Sequence, residues 1–268
     1  MLSVLNKAVA AFRKMMNDIF IKNANLPKND VTLCVCGNKE FAKIISDKSG
    51  AGVLLSAPSP LLQNEVAAHA DMAMCHLGGD RIIIDENQTE LSDLLTREGF
   101  DVIKDTSPKG KYPDDIKFNA CVCGKYLFGK EKNLSAALLN EAKKQGLTVI
   151  DIPQGYAKCS VCVVNENAII TDDKSIDEAC RRIGIDTLFI SKGDIYLSDT
   201  HYGFIGGCSG KLSKNTVAFT GALSTHRDGD RIKAFLAKYN MTALELTGGR
   251  LIDIGGILPL KEKKKNEI

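Results

Sequence analysis

The sequence predicts a mixed α/β protein: five pseudo-symmetric ββαβ units closed into a propeller, with an added N-terminal helix. Three observations predict it. One pattern recurs, a strand with small or Cys residues at its middle, a tight turn, a short apolar strand, a helix and a third strand. The turns inside that pattern carry residues that tolerate a left-handed backbone. The two ends of the chain supply complementary pieces of one more unit.

Taken in order, residues 1–30 mix Lys, Arg and Asp among Leu2, Leu5, Val9, Phe12, Met16 and Phe20, a spacing that predicts an amphipathic helix of three to five turns packed on the body. The units follow as "ADMAMCHLGGDRIIIDENQTELSDLLTREGFDVIK" (70–104), "IKFNACVCGKYLFGKEKNLSAALLNEAKKQGLTVIDI" (116–152), a third over 156–190 and a fourth over 202–246. Their turns are Gly78-Gly79-Asp80, Asn165-Glu166-Asn167 and Ser213-Lys214-Asn215. Apolar residues three and four apart, such as Leu91, Leu94 and Leu95, mark the helices.

The fifth unit takes its first strand from 249–260, "GRLIDIGGILPL", and the rest from "VTLCVC" (31–36), a helix near 39–48 and "GVLLS" (52–56). Completing one unit from both ends closes a ring and hides the strand edges an open array would expose. The domain therefore spans 31–260, and "KEKKKNEI" (261–268) is expected as a basic disordered tail.

Composition narrows the function. With 44% hydrophobic and 25% charged residues the chain is an ordinary globular one, and a formal charge of +2 gives no footprint for nucleic acid. No stretch reaches the roughly 18 apolar residues of a membrane span. Nine cysteines with no export signal predict reduced thiols and a cytoplasmic location.

Five such units, small residues on the first strands and the Gly-Gly motifs make residues 31–260 resemble the pentein, or guanidino-group-modifying-enzyme, fold. Within it, "GYAKCSVCVV", "GFIGGCSGK" and "LIDIGGILPL" are similar to an uncharacterised bacterial family assigned to that fold. The resemblance implies a central pocket on which first strands converge, open to a small-molecule substrate or ligand. It implies no cofactor and no metal.

The candidate residues follow from that implication. His69 and Asp71, two apart in "HADMAMCHL", would point the same way from a strand, and the pair resembles the segment carrying general base and substrate carboxylate in guanidine deiminases and amidinotransferases. Guanidino-modifying enzymes use a Cys shortly before a hairpin turn as nucleophile, and Cys159 in "AKCSVCVVNEN" holds such a place. Asp253 would help hold a planar cation, and Asn119, Lys158, Cys208 and His201 complete the expected substrate contacts. Lys158 and Cys159 should face opposite sides of a strand, as should Cys159 and Cys162. That alternation disfavours a Cys-x-x-Cys redox pair.

One departure stands against the enzymes. Their nucleophile lies in the last unit, where this chain has Leu258 or Pro259, so His69 and Cys159 could act together only if the functional units were shifted around the ring. "GFIGGCSGKLS" (203–213) fails the phosphate-loop spacing at Ile205 and Leu212; its glycines are read as permitting close backbone approach. The remaining cysteines read as small hydrophobes where strands crowd, with a Cys-His metal site as the lesser alternative. Two functions stay open: a thiol-dependent hydrolase or transferase of a guanidinium-type small molecule, and a catalytically silent ring that binds a ligand or protein partner. The oligomeric state is not legible in the sequence.

Overall fold

The structure, a computed structural model, describes residues 18–264. The described chain opens with a short strand β1 (Asp18–Phe20), followed by β2 (Val31–Cys36) and β3 (Gly52–Leu55). Between β2 and β3 runs the helix Lys39–Ser49. Asn38 starts it by accepting from the N–H groups of Glu40 and Phe41, and Gly50, at φ 73°, ends it.

Four three-stranded sheets come next. They are β4 (Met74–Gly78), β5 (Arg81–Asp85) and β6 (Asp101–Asp105); β7 (Cys121–Cys123), β8 (Tyr126–Gly129) and β9 (Thr148–Asp151); β10 (Val161–Asn165), β11 (Ala168–Thr171) and β12 (Asp186–Phe189); and β13 (Ser209–Ser213), β14 (Thr216–Phe219) and β15 (Thr242–Glu245). In each, the first two strands form an antiparallel hairpin and the third joins the second in parallel after a helix. The hairpins turn where the sequence places them. Three of them slip register just before the turn, between His76 and Gly78, Val163 and Asn165, and Lys211 and Ser213, so even the irregularity repeats.

The split unit is present too. β16 (Leu258–Lys263) pairs antiparallel with β2, and β2 pairs parallel with β3, which reproduces the other four sheets from the two ends of the chain. β1 adds a fourth strand on the far edge of β16. The first strands touch one another in cyclic order: β4 with β7, β7 with β10, β10 with β13, β13 with β16, and β16 with β4. The second strand of a sheet, between the first and the third, is covered on both faces, as β5 shows. Ile82, Ile83 and Ile84 are consecutive and all at 0% exposure, the continuous apolar run of a strand packed between neighbours and a helix.

Several boundaries differ from those expected. Within the expected N-terminal helical segment 1–30, Asp18–Phe20 form a strand that completes the edge of β16 and residues 21–30 form loop and turns; residues 1–17 lie outside the described residues. The first strand of the split unit begins at Leu258 and not near 249, since Gly255 and Gly256 both take φ 76° and break extension. β16 then runs to Lys263, past the expected tail boundary. Lys261 and Glu262 are buried there, Lys261 pairing with Glu98 at 2.8 Å, and residues 265–268 lie outside the described chain. The approaches to two first strands are helical: one turn, Ala70–Ala73, precedes β4, and another, Ala157–Ser160, precedes β10.

Candidate active site

Those two helical turns hold three of the candidate residues, Asp71, Lys158 and Cys159. His69 stands at the N-cap of the first and Asp71 lies inside it, so the pair is set by a helical turn and not by strand alternation. Cys159 lies in the second turn, likewise off the strand. The two turns meet although their residues are far apart in sequence. The Cys159 thiol donates to Asp71 Oδ2 at 3.0 Å, and ligand-type atoms of His69, Asp71 and Cys159 all lie within 4.8 Å of one another. His69 and Cys159 are therefore near neighbours in the fold, although no cysteine stands in 249–260, the C-terminal part of the split unit.

Asn119, just ahead of β7, fixes the thiol from a third unit. Its Oδ1 accepts from the N–H groups of Lys158 (2.8 Å) and Cys159 (3.3 Å), and its Nδ2 approaches Cys159 Sγ at 3.1 Å. One fully buried amide thus satisfies open N–H groups of the short turn and addresses the sulfur. Sequence reading placed Asn119 among substrate contacts; its observed partners are the backbone and sulfur of the Cys159 turn.

Asp253 enters from the split unit, where its Oδ1 lies 3.7 Å from His69 Nδ1. The same carboxylate accepts from the N–H groups of Phe204 (2.9 Å) and Gly255 (3.0 Å). Here "GFIGGCSG" finds its reason. A Cβ on Gly207 would sit 2.0 Å from Asp253 Oδ1, and one on Gly206 would sit 2.2 Å from the Lys158 carbonyl oxygen and 2.7 Å from that of Cys159. The glycines let the backbone close around the carboxylate and the thiol turn.

Electrostatics hold the resting thiol protonated. Burial pushes the Cys159 pKa well above its ordinary value, and the Asp71 and Asp253 carboxylates push it further in the same direction. Burial likewise raises the Asp253 carboxyl, against the opposing pull of His69. His69 Nδ1 and Asp71 Oδ1 are buried without a hydrogen-bond partner, which leaves this cluster with unmet polar valence.

The cluster opens into a cavity of about 330 Å³. His69, Cys159 and Asp253 form its buried part, Tyr156, Tyr202 and Phe204 an aromatic wall, and Glu65, Thr200 and His201 its rim. The Phe204 ring lies 6.1 Å from Tyr156 and 6.0 Å from Tyr202. His201, expected as a substrate contact, is exposed at the rim and pairs with Glu65 at 3.2 Å.

Four expected residues do not line the cavity: Asp71 and Asn119, which meet the Cys159 sulfur without reaching the lining, and Lys158 and Cys208. Lys158 is buried with its ammonium 3.5 Å from the Gly206 carbonyl oxygen, on a helical turn that aims it away from the cavity lining. Cys208 is fully buried just before β13, its thiol donating to the Ile205 carbonyl 3.4 Å away within an apolar cluster. Sequence reasoning missed Tyr156, Phe204 and Glu65. Tyr156 and Phe204 did flank the quoted motifs, and their nearness to Cys159 and the glycines was the available signal. All nine cysteines are free and buried. Among the described residues no helix is long and apolar enough to cross a membrane.

Solved structures of similar fold bear on this geometry. Inosamine-phosphate amidinotransferase StrB1 from Streptomyces griseus is 12% identical, with a TM-score of 0.57, 92% of this chain and 99% of that one being covered. DDAH from Pseudomonas aeruginosa, in a mutant complexed with citrulline, is 10% identical at a TM-score of 0.52, covering 87% and 99%. SxtG, an amidinotransferase of saxitoxin biosynthesis from Microseira wollei, is 10% identical at 0.50, covering 85% and 90%. These are pentein-fold guanidino-modifying enzymes, and at such identities the likeness is one of fold. No curated protein sequence matches the chain. Residues 38–258, which hold every candidate residue named above, match a family of unknown function (DUF6873), and the chain belongs to that family.

Proposed function

We propose that this chain is a five-unit propeller that cleaves or transfers a guanidino group through Cys159. The cyclic contact of the five first strands supports the propeller. The observation that carries the activity is the convergence of one thiol, one imidazole and the Asp253 carboxylate, from three different units, on a single aromatic-walled cavity, with Asp71 buried against the thiol. A planar cation fits that set: Asp253 and Asp71 offer acceptors, and Tyr156 and Phe204 offer π faces.

The same cation would switch the thiol on. Bound between the carboxylates, a guanidinium offsets the charges that hold Cys159 protonated, so the thiol loses its proton to His69. The thiolate attacks the guanidinium carbon and forms a C–S bond. The C–N bond to the leaving amine then breaks, and the imidazolium of His69 returns the proton to that nitrogen. Water attack on the remaining amidino carbon, with His69 taking the proton, breaks the C–S bond and completes a hydrolase cycle; an amine in place of water completes a transferase cycle.

The second reading, a silent binding ring, draws on the same resting thiol, which is inert while protonated. Amine or ammonia release from a panel of guanidino compounds separates the two. Turnover by the native chain that disappears in Cys159→Ser supports the enzyme, whereas binding of those compounds with no turnover and no covalent adduct supports the ring. A reducing compartment is part of the proposal, supported by nine free, buried thiols.

A further inference from the structure

The cavity's charge distribution bears on which guanidino compound it takes. Its charged lining consists of two carboxylates, Glu65 and Asp253, and two imidazoles, His69 and His201; no lysine or arginine lines it among the described residues. The lining has no permanent cation to neutralise a substrate carboxylate or phosphate, its one exposed imidazole, His201, already pairs with Glu65, and Glu65 at the rim would repel a second anion.

Glu65 is built as an anion. Thr200 Oγ1 lies 3.5 Å and His201 Nδ1 3.3 Å from its Oε1, and hydrogen bonding, from Ser198 first, lowers its pKa. It is a half-buried carboxylate, with 31% of the side chain exposed. The same lining includes Val66, Leu197, Tyr156 and Phe204, which would accept methylene groups but not a second charge.

We propose that Glu65 is a specificity-determining residue that binds the far amine of a dicationic substrate, an ω-guanidino alkylamine, and excludes guanidino acids. This rests on the reading of Cys159 and its carboxylates as a guanidinium site. The guanidinium sits at the buried end, the alkyl chain lies along the aromatic wall, and the ammonium meets Glu65 at the mouth.

The test uses the native chain and protection of Cys159 from iodoacetamide at about pH 9, with incubation long enough for the small thiolate fraction of this raised thiol to react. Methylguanidine, agmatine and arginine are the probes. Methylguanidine reports the buried end alone; agmatine and arginine differ only in the carboxylate. The expected result is protection by methylguanidine, with agmatine effective at a concentration about tenfold below arginine, the scale of one partly buried ion pair. In Glu65→Gln that ratio should fall to about threefold or less, with methylguanidine protection unchanged. Equal protection by agmatine and arginine, alongside protection by methylguanidine, overturns the rim proposal and leaves the buried site standing. An unchanged ratio in Glu65→Gln overturns it as well. Failure of all three probes overturns the guanidinium site and this proposal with it.

Discussion

Cys159 and Asp71, 88 residues apart, meet at 3.0 Å with the thiol donating to the carboxylate. That contact stabilises the protonated sulfur, because a thiolate beside a carboxylate would face like charge across a buried gap. Asp71→Asn removes the charge and leaves a side chain able to donate to sulfur. The variant should therefore show faster iodoacetamide alkylation of Cys159 at neutral pH, by about tenfold for each unit of lowered pKa. Guanidine turnover should nonetheless fall, since one cation partner is gone. Slower alkylation than in the native chain would refute the role given to this carboxylate.

Asn119 spans the thiol and the backbone of its turn. Asn119→Ala strips the acceptor from two N–H groups and should cost about 1–2 kcal/mol, the scale of a lost cap. For a chain of this size that is a drop of roughly 2–8 °C in Tm. Calorimetry reads the loss, and turnover should fall by more than the residual folded fraction accounts for, because the thiol loses its Nδ2 contact.

Gly206 and Gly207 separate packing from charge. Gly206→Ala forces a Cβ against the carbonyl oxygens of residues 158, 159 and 161, which cannot all retreat, so the expected outcome is severe destabilisation or insoluble protein. Gly207→Ala strikes the Asp253 carboxylate instead and should abolish turnover at a smaller loss of Tm. Native-like Tm and activity in Gly206→Ala would contradict the close approach described.

Lys211 is a buried cation held by the carbonyl oxygens of Val164 and Lys214, each at 2.8 Å, and burial lowers its pKa to about 8. Its ordinary value is 10.5, so between pH 8 and 10.5 the unfolded chain binds more protons than the folded one, and this group's contribution to stability rises with pH. The buried thiols act oppositely above pH 9, since their folded values are raised, and all except Cys123 and Cys162, whose rise Lys211 itself opposes, do so in variant and native chain alike. The stability of the native chain minus that of Lys211→Met should therefore increase with pH across this window. The gain should approach about 3 kcal/mol. Urea denaturation of both proteins from pH 7 to 10 measures it, and a flat difference would show that Lys211 keeps its ordinary pKa when folded.

The repeat was legible because it is long: each unit shows a turn signal, an apolar strand and a helical periodicity, and β2 emerges at 31–36 as read from "VTLCVC". The split unit was legible because its halves match the pattern on either side of the chain ends. The site was legible as a set of residue types, but its local geometry was not. His69-Ala70-Asp71 and Ala157–Ser160 each make one helical turn, too short to imprint any periodicity, and Ala and Met nearby suit helix and strand alike. Strand alternation therefore misdirected Lys158, whose direction depends on the turn. Cys208 failed for a related reason, since β13 starts one residue later and the thiol falls in the bend before it. Glu65 carries no pattern at all. Its role rests on His201 and Thr200, some 135 residues away, which only the folded chain brings beside it.

The claim that Cys159 attacks a guanidino carbon is tested most directly by acid-quenching the native protein during incubation with agmatine and mapping the modified peptide by mass spectrometry. The account predicts an amidino group on Cys159 alone, absent from Cys159→Ser and reduced in His69→Asn. An unmodified Cys159 in protein that is releasing ammonia or amine, or an adduct carried by another of the nine cysteines, would contradict it.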